Sequence, residues 1–341
     1  MAEVKQDTSG TGTAPMAPPA KKNHFKRFWW AYLLVFLVVA TVVIVPSVLL
    51  VAVPRMAQQR LNAAKLTIDG IAITHTQTDS LAIAINSTIR ADDSVHATID
   101  PFKGTLYLAN VSPPLAFAEI DFPQTSSASR QAVNVSQEMQ VLDINALTAF
   151  NTVLLTNDSV SVQVKGDTHI HVRGISRAYS VTFDKTVTLK GLSNFEGLTI
   201  SDPSINALST DNNFNATAHI PNPSVLTLEI GNTTFTTYFN GSEIGQATIA
   251  DLVLYPGNNI FPIRGDIQQL PIINALTQEP FCELSGNLPF QLSGNNVVNN
   301  GQVIAYFRDA LASTNQSVTI DLSDAARKVG IPVGCNTTPG N

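Results

Sequence analysis

An uninterrupted apolar run near the amino terminus constrains this chain more than any other feature of its sequence. The run extends from Phe28 to Val53, reads FWWAYLLVFLVVATVVIVPSVLLVAV, and contains no charged residue. A helix of this length reaches roughly 39 Å, which exceeds the hydrocarbon thickness of a bilayer, about 30 Å. A buried helix of a soluble protein would show one polar face, and this run shows none. We therefore predict a transmembrane helix over residues 28–53.

Aromatic residues mark the start of the predicted span. Trp29, Trp30 and Tyr32 lie in its first turns, and amphipathic rings favour the headgroup layer of a bilayer. The alternative is a cleavable signal peptide, whose apolar region normally has about 7–15 residues and ends at small residues. This run is longer, and Pro54 follows it directly. We predict an uncleaved anchor that contacts the lipid bilayer through residues 28–53.

Basic residues and sequons predict the orientation of this anchor. Lys21, Lys22, Lys26 and Arg27 precede the span, and positive charge favours the cytosolic side. Nine Asn-x-Ser/Thr sequons follow it, at Asn86, Asn110, Asn134, Asn157, Asn215, Asn232, Asn240, Asn315 and Asn336. We predict that residues 1–27 form a disordered cytosolic tail, and that the body after the span is glycosylated and lumenal or extracellular.

Beyond the span, apolar and polar residues alternate with a period of two. The pattern is clear at residues 81–86, 160–165, 169–172 and 179–183. Such alternation is typical of strands in an antiparallel sheet with one exposed face, and many short strands separated by Gly, Pro and Asn indicate a β-sandwich. One helix interrupts the pattern, because Asp143 is a suitable N-cap for the amphipathic segment 144–156.

Three short segments recur later in the chain, in the same order and at nearly constant spacing. Leu-Thr-Ile occurs at residues 66–68 and 198–200, INALT at 144–148 and 273–277, and Ser-Val-Thr at 180–182 and 317–319. This regularity indicates a duplication. We predict a mostly β fold in which the transmembrane helix precedes two tandem antiparallel β-sandwich domains, residues 62–194 and 195–341, each with a short helix.

Two stretches resemble known families. The segment Ile220-Pro221-Asn222-Pro223-Ser224, followed by GNTTFTTYFNGSEIGQATIADLVLYPGNN, resembles a group-2 late-embryogenesis-abundant domain, also called the water-stress and hypersensitive-response domain. Ser224 departs from the usual Asn-Pro-Asn motif. The first predicted domain, with DPFKGTLYLANVSPPLAFAEIDFP, resembles a fungal family of unassigned function that has one span and tandem lumenal β domains. The resemblance implies a vacuolar-type or other endomembrane location, and it carries over no catalytic residues.

The sequence shows no motif for catalysis or nucleotide binding. Gly-x-Ser-x-Gly, Gly-x-x-x-x-Gly-Lys and Gly-x-Gly-x-x-Gly are all absent. His169 and His171 fall on the same face of one strand and are a candidate metal-ligand pair, but no third ligand is apparent nearby, so we interpret them as solvated strand residues. Asp92-Asp93, and Asp321 with Asp324, are interpreted as turn and helix-cap residues. We predict no catalytic residue, no metal site and no cofactor.

Cys282 and Cys335 are the only cysteines in the chain. On an oxidising side of the membrane we predict that they form a disulfide, and two buried free thiols are the alternative. The formal net charge of −6 argues against a nucleic-acid partner, since such proteins carry a basic surface.

Together these features predict a non-enzymatic, membrane-anchored tandem β module that acts by contacting another membrane or lumenal protein at an endomembrane. A lipid-binding or lipid-transfer module at the membrane surface is the first alternative, because two stacked sandwiches can line an apolar groove. A hydrolase acting on glycans or lipids is the second alternative, although no acid/base arrangement in the sequence supports it.

Overall fold

The computed structural model describes residues 24–90, 96–126, 129–206, 209 and 211–335. The chain divides into two compact units, residues 1–53 and residues 54–341. In the first unit, α1 (His24–Ser47) is followed by a π-helical turn (Val48–Ala52). The mean hydropathy of the most apolar window is 3.0, and none of that window is buried. By length and composition, this helical segment is compatible with a single-pass membrane anchor.

The helical segment is longer than the sequence predicts. α1 starts at His24, but Phe28 has a non-helical φ of −123°, and the candidate span begins there, as predicted; helical structure then continues through α2 (Val53–Ala63). Pro54 does not end the helical segment. It lies in the first turn of α2, where backbone N–H groups have no acceptor within the helix, so proline is tolerated there. Most of the predicted tail, residues 1–23, lies outside the described residues. Its last residues, 24–27, belong to α1 rather than to a disordered segment.

The second unit is mostly β, as predicted. In the described part of the chain the strands are β1 (Lys65–Thr74), β2 (Ser80–Arg90), β3 (Ala97–Ile99), β4 (Phe102–Leu108), β5 (Leu115–Phe122), β6 (Thr125–Ser126), β7 (Arg130–Gln140), β8 (Ser159–Val172), β9 (Ala178–Lys190), β10 (Thr199–Ile205), β11 (Phe214–Asn222), β12 (Leu226–Phe239), β13 (Ser242–Leu254), β14 (Gly257–Ile267), β15 (Asn287–Asn299), β16 (Gln302–Val303) and β17 (Gln316–Asp321). The helices are α3 (Ile144–Thr156), α4 (Gln269–Thr277), α5 (Ala305–Ala312) and α6 (Ser323–Lys328).

These strands form two sheets. The larger has the order β10-β11-β14-β13-β12-β1-β2-β7, and β15 pairs with β12 and carries β16 and β17. The smaller has the order β5-β4-β8-β3-β6, and β9 pairs with β8. Every ladder between named strands is antiparallel except that between β1 and β12, which runs parallel from Ile71–Leu226 to Ile73–Leu228.

The same pairing plan occurs twice. We call β1–β9 with α3 the first half, and β10–β17 with α4–α6 the second half. The ladders β1–β2, β2–β7, β4–β5, β4–β8 and β8–β9 of the first half recur in the second as β10–β11, β11–β14, β12–β13, β12–β15 and β15–β17. The three recurring sequence segments lie on equivalent elements, at β1 and β10, α3 and α4, and β9 and β17.

The two halves share one sheet and form one compact unit. Along β12, residues 226–228 pair with β1 and residues 232–239 pair with β15. Gly231 lies between these stretches with a φ of +101°, and a Cβ atom there would lie 2.6 Å from the carbonyl oxygen of Val298. Glycine is therefore required where β12 changes partner.

A polar network also joins the halves. The Asn299 side chain donates hydrogen bonds to Glu229 Oε1 (2.8 Å) and to Thr76 Oγ1 (2.8 Å). Beside it, the fully buried Tyr306 of α5 donates to the carbonyl oxygen of Gln77 (3.1 Å). Burial raises the pKa of the Tyr306 hydroxyl, so the group stays a neutral donor. The network ties the β1–β2 turn of the first half to β12, β15 and α5 of the second.

The α3 helix forms as the sequence predicts, over residues 144–156. The Asp143 carboxylate accepts hydrogen bonds from the backbone N–H groups of Asn145 (2.8 Å) and Ala146 (3.2 Å). These bonds satisfy two of the donors that a helix leaves free at its start. Phe150 and Leu154 are buried on the inner stripe of the helix, which also packs against α5.

The end of α2 is fixed to β9 within the second unit. The Gln58 amide donates to the carbonyl oxygen of Thr182 (2.8 Å) and accepts from its N–H (3.0 Å). Lys185 Nζ donates to the carbonyl oxygens of Asn62 (2.6 Å) and Ala64 (2.7 Å), which lack partners within the helix. Partial burial lowers the pKa of this ammonium group. Residues 58–64 are therefore held against the first half by side chains of both elements.

Candidate functional site

One end of the second half presents apolar side chains on two rigid turns. The first turn follows β11 at Asn222, which is 1% exposed. The Asn222 amide donates to the carbonyl oxygen of Leu226 (2.8 Å), and Asn222 Oδ1 accepts from both the N–H (3.0 Å) and the hydroxyl (2.6 Å) of Ser224. Ser224 Oγ accepts in turn from the N–H of Leu226 (3.1 Å). Side chain and backbone thus lock this turn together.

The second turn joins β13 to β14 and is held by Asn259, which is also buried. Asn259 Oδ1 accepts from the N–H of Tyr255 (2.9 Å), and Nδ2 donates to the carbonyl oxygens of Tyr255 (2.8 Å), Gly257 (3.3 Å) and Ile220 (3.3 Å). Asn222 and Gly257 pair across β11 and β14, so the two turns are neighbours.

Three apolar side chains at this end are exposed: Val225 and Tyr255 on the two turns, and Ile260 near the start of β14. Val225, Tyr255 and Ile260 are 36%, 59% and 63% exposed, and we call them the turn patch. Burying these side chains in a complex would remove apolar surface from water. Because buried amides already fix the backbone, little conformational entropy would be lost on binding. Tyrosine side chains are frequent anchors of protein interfaces. The turn patch is our candidate interaction surface.

An apolar cavity of about 80 Å³ lies inside the second half. It is lined by side chains from both buried clusters of the core, among them Phe214, Phe235, Ile263, Leu276, Phe290 and Ile320. Ligand pockets commonly span about 300–1,000 Å³, and an engineered apolar cavity of about 150 Å³ binds benzene. At its present volume the cavity accommodates only a small apolar group.

Two buried polar atoms in this cavity have no hydrogen-bond partner among the described residues, Thr237 Oγ1 and Gln316 Oε1. Thr237 pairs with Leu292 and Leu292 pairs with Gln316, so the three form one row across β12, β15 and β17. The Gln316 amide nitrogen donates to the carbonyl oxygen of Thr314 (3.2 Å), which can only accept, and this orients Oε1. An unsatisfied buried polar atom costs about 1–3 kcal/mol.

The two histidines considered as a candidate metal-ligand pair lie on one strand. His169 and His171 are both exposed on β8, and His171 Nε2 lies 2.9 Å from Asp100 Oδ2. In the described ranges, no group of three or more His, Cys, Asp or Glu side chains is arranged to hold a metal ion. The pair instead makes local contacts at the strand surface.

Of the two acidic pairs identified in the sequence, Asp321 and Asp324 make local contacts near the start of α6. Asp92-Asp93 lies outside the described residues. Asp321 accepts from the N–H of Ser323 (2.9 Å) at the start of α6, and hydrogen bonds from Ser323 hold the pKa of this carboxyl below its usual value. Asp324 pairs with Arg327 at 3.6 Å on the helix surface. Asp321 lies just before Leu322, the N-cap of α6, and Asp324 lies in the first turn of the helix.

The asparagines of the predicted sequons are exposed wherever the structure describes them: Asn86, Asn110, Asn134, Asn157, Asn215, Asn232, Asn240 and Asn315. Asn336 lies outside the described residues. Two of the exposed side chains also support the backbone, since Asn110 Oδ1 accepts from the N–H of Ser161 (2.6 Å) and Asn232 Oδ1 from that of Asp251 (2.9 Å). Glycosylation itself stays a prediction.

Cys282 and Cys335 form a disulfide with their Cα atoms 5.0 Å apart. The bond ties the turn after α4 to the segment after α6. In the span, Trp29, Trp30 and Tyr32 are more than half exposed on α1, a position compatible with contact to headgroups.

Sequence reasoning missed the residues that build the turn patch. Asn222 and Ser224 belong to the motif that resembles a late-embryogenesis-abundant domain, and Asn259 is the last residue of the segment that shares this resemblance. The sequence does not show that these amides are buried, or that the exposed Tyr255 and Ile260 lie on the backbone they fix. Tyr255 was the one available signal of an interaction surface, because it is an aromatic residue in a turn and turns are usually polar.

Residues 115–237 match the model of a family described as protein of unknown function, DUF3712. No curated protein matches the chain. The resemblances to a late-embryogenesis-abundant domain and to a fungal family find no support here and stay predictions.

Several solved structures match at low identity. One is a bacterial adhesin from Mobiluncus mulieris containing intramolecular disulfide, isopeptide and ester bond cross-links, with 9% identity and a TM-score of 0.20 over 68% of this chain and 80% of that chain. Another is the CupB6 tip adhesin from Pseudomonas aeruginosa, with 7% identity and a TM-score of 0.19 over 75% of this chain and 97% of that chain. At these scores neither structure assigns a function. The chain therefore contains an N-terminal apolar helix and, at residues 115–237, a domain similar to DUF3712, a family of unknown function.

Proposed function

We propose that this chain is a single-pass membrane protein whose β-rich body binds another membrane or lumenal protein and performs no catalysis. The turn patch carries the proposal, since it presents Tyr255 and Ile260 on backbone that buried amides hold in place. The polar side chains nearest to it, Asn222, Ser224 and Asn259, are engaged in holding the turns. Their chemistry supports a binding surface rather than a reactive centre.

We place the body in the lumen of an endomembrane, of the vacuolar type, and the amino terminus in the cytosol. The apolar helix, the basic residues before it and the exposed sequon asparagines of the body support this orientation. Glycosidase sensitivity of the full chain in sealed vesicles, together with its localisation, tests this placement. Digestion of the body by external protease, with no glycan attached, would contradict it.

Proximity labelling from the lumenal end of the chain tests the interaction. We expect a consistent protein partner, and at least about tenfold less of it with Tyr255→Ala and Ile260→Ala combined, since anchor residues each contribute more than about 1 kcal/mol. Leu115→Ala with Leu142→Ala is the matched control, because these apolar residues of the first half are also exposed. Equal recovery with both double variants would reject the turn patch as the interface.

A second candidate function is binding of a small, mostly apolar molecule, or of the end of one lipid chain, in the cavity of the second half, which at about 80 Å³ is too small for a whole lipid. The unpartnered Thr237 and Gln316 atoms favour it, because a polar group of a ligand would satisfy either one. Native mass spectrometry of the full chain extracted from its membrane tests it. A bound molecule that is present in the unaltered protein and absent from Gln316→Leu would support a ligand beside Thr237 and Gln316. If the unaltered protein releases no molecule, this second function is rejected.

A further inference from the structure

A groove of about 290 Å³ runs along the outer face of the second half, opposite the face that forms the core. Its floor contains the cross-strand row Tyr238–Gln291–Ser317 and the neighbouring pair Pro289–Thr319. The groove therefore crosses three adjacent strands, β12, β15 and β17. The groove shares Phe290 and Val318 with the lining of the apolar cavity, and its lining includes none of the turn-patch residues.

Phe281 forms one wall of this groove. Its ring packs against that of Phe239, with centroids 4.9 Å apart, and the ring remains partly exposed. The adjacent Cys282 is tied to Cys335 by the disulfide. The wall is consequently held in place before anything occupies the groove.

Asn240 stands at one end of the groove and lines it. It occupies the two-residue turn between β12 and β13, where Asn240 and Gly241 have φ angles of +47° and +76°. Because Phe239 pairs with Phe290, the next position along β12 lies beside Pro289, on the outer side of the sheet. The side chain of Asn240 is exposed, and its sequon is completed by Ser242.

The lining has the chemistry that carbohydrate requires. A pyranose ring presents apolar C–H faces, which pack on rings such as Tyr238 and Phe281, and hydroxyls, which pair with groups such as Gln291, Ser317 and Thr319. We propose that Asn240 carries an N-linked glycan whose first sugars occupy this groove and stabilise the fold. The inference rests on the lumenal placement of the body proposed above.

The attachment is a transfer from a lipid diphosphate-linked oligosaccharide, catalysed by a membrane oligosaccharyltransferase. A bond forms between C1 of the first sugar and Asn240 Nδ2, and the bond between C1 and the phosphate oxygen breaks. The lipid diphosphate leaves with the electron pair of that bond, and the amide nitrogen loses one proton. The asparagine keeps one N–H, so it can still donate a hydrogen bond.

Peptide mass mapping and thermal unfolding of the full chain from a eukaryotic host test the proposal. We expect Asn240 to be occupied, and Asn240→Gln to lower the unfolding midpoint by about 2 °C or more relative to Asn215→Gln. Asn215 is the matched control, because it is an exposed sequon asparagine on a strand and does not line the groove. Trimming to the first sugar should retain most of the stabilisation.

A second variant separates glycan docking from general damage to the fold. Phe281→Leu should lower the midpoint more in the glycosylated protein than in Asn240→Gln, since only the former has a sugar against the ring. Equal midpoints for Asn240→Gln and Asn215→Gln, or an unoccupied Asn240 beside other occupied sequons, would overturn this inference alone. A chain with no occupied sequon would instead overturn the lumenal placement.

Discussion

The two halves of the body share one strand-pairing plan, but they differ in whether one pair of equivalent strands forms a ladder. In the second half, β13 and β14 pair from Gly245–Ile267 to Ile249–Ile263, and this ladder joins all of its strands into one sheet. In the first half, the equivalent strands β5 and β7 belong to separate sheets and form no ladder in the described residues. They are linked by the bridge between Ala118 and Val141, the residue after β7, and by a hydrogen bond from the N–H of Asp121 to Gln137 Oε1 (3.2 Å). The same duplicated chain thus places the strands of one half in two sheets and those of the other half in a single sheet.

The interiors differ as well. In the first half, the rings of Phe102, Phe122 and Phe183 contact one another with centroids 5.0–6.1 Å apart. In the second half, the position equivalent to Phe183 is Ile320, which borders the cavity. Tyr179 and Gln316 are also equivalent, since each precedes the repeated Ser-Val-Thr segment. The comparison shows that a duplicated pairing plan does not determine how completely its interior is filled.

The largest expected effect concerns this difference in filling. Phe183→Ala should lower the free energy of unfolding by about 3–5 kcal/mol, because it leaves a large void among packed rings. Ile320→Ala should cost less, about 2 kcal/mol, since its surroundings already include a cavity. Urea unfolding of the full chain in detergent measures both. A larger loss at Ile320 would show that the second interior is the better packed of the two.

The disulfide is the next test, because it occurs in the second half alone. Replacing Cys282 and Cys335 together by Ser should cost between about 2 and 4 kcal/mol, since the bond closes a loop with a sequence separation of 53 residues. Urea unfolding with and without reductant measures the loss, and the unaltered protein in reductant is the matched control. If the double variant and the oxidised protein unfold at the same urea concentration, the disulfide does not stabilise the second half.

The equivalent helices differ at their starts. Asp143 caps α3, whereas Gln268 before α4 makes no side-chain cap hydrogen bond. We expect Asp143→Ala to lower the free energy of unfolding by about 1 kcal/mol, and Gln268→Asp to raise it by up to about 1 kcal/mol. Thermal unfolding of each variant tests these two expected changes. A neutral Asp143→Ala would mean that packing of α3 on α5, rather than the cap, holds the helix start.

The smallest effect is expected at the unpartnered polar atoms of the interior. Tyr179 Oη and Thr237 Oγ1 are buried, and neither has a partner among the described residues. Tyr179→Phe and Thr237→Val remove these hydroxyls with little change of shape, so each should stabilise by about 1 kcal/mol. A loss of stability in Thr237→Val alone, measured on protein extracted from its membrane, would favour a bound polar group in the second half.

Much of the architecture was predictable from local sequence. The apolar run, the strands at residues 81–86 and 179–183, and the capped helix after Asp143 depend on interactions between residues close in the chain. Periodicity and capping report such interactions directly. The turn at Asn240-Gly241 was predictable for the same reason, since its residues tolerate positive φ angles.

Other features depended on contacts between distant residues. The parallel pairing of β1 with β12, the required glycine at Gly231 and the buried amides of Asn222 and Asn259 have no signature within a short window. The same holds for the turn patch, the cavity and the groove beside Asn240. Hydrophobic periodicity decides which side of a strand faces inward. Which strands meet, and how completely their shared interior is filled, is decided only when side chains far apart in sequence compete for the same space.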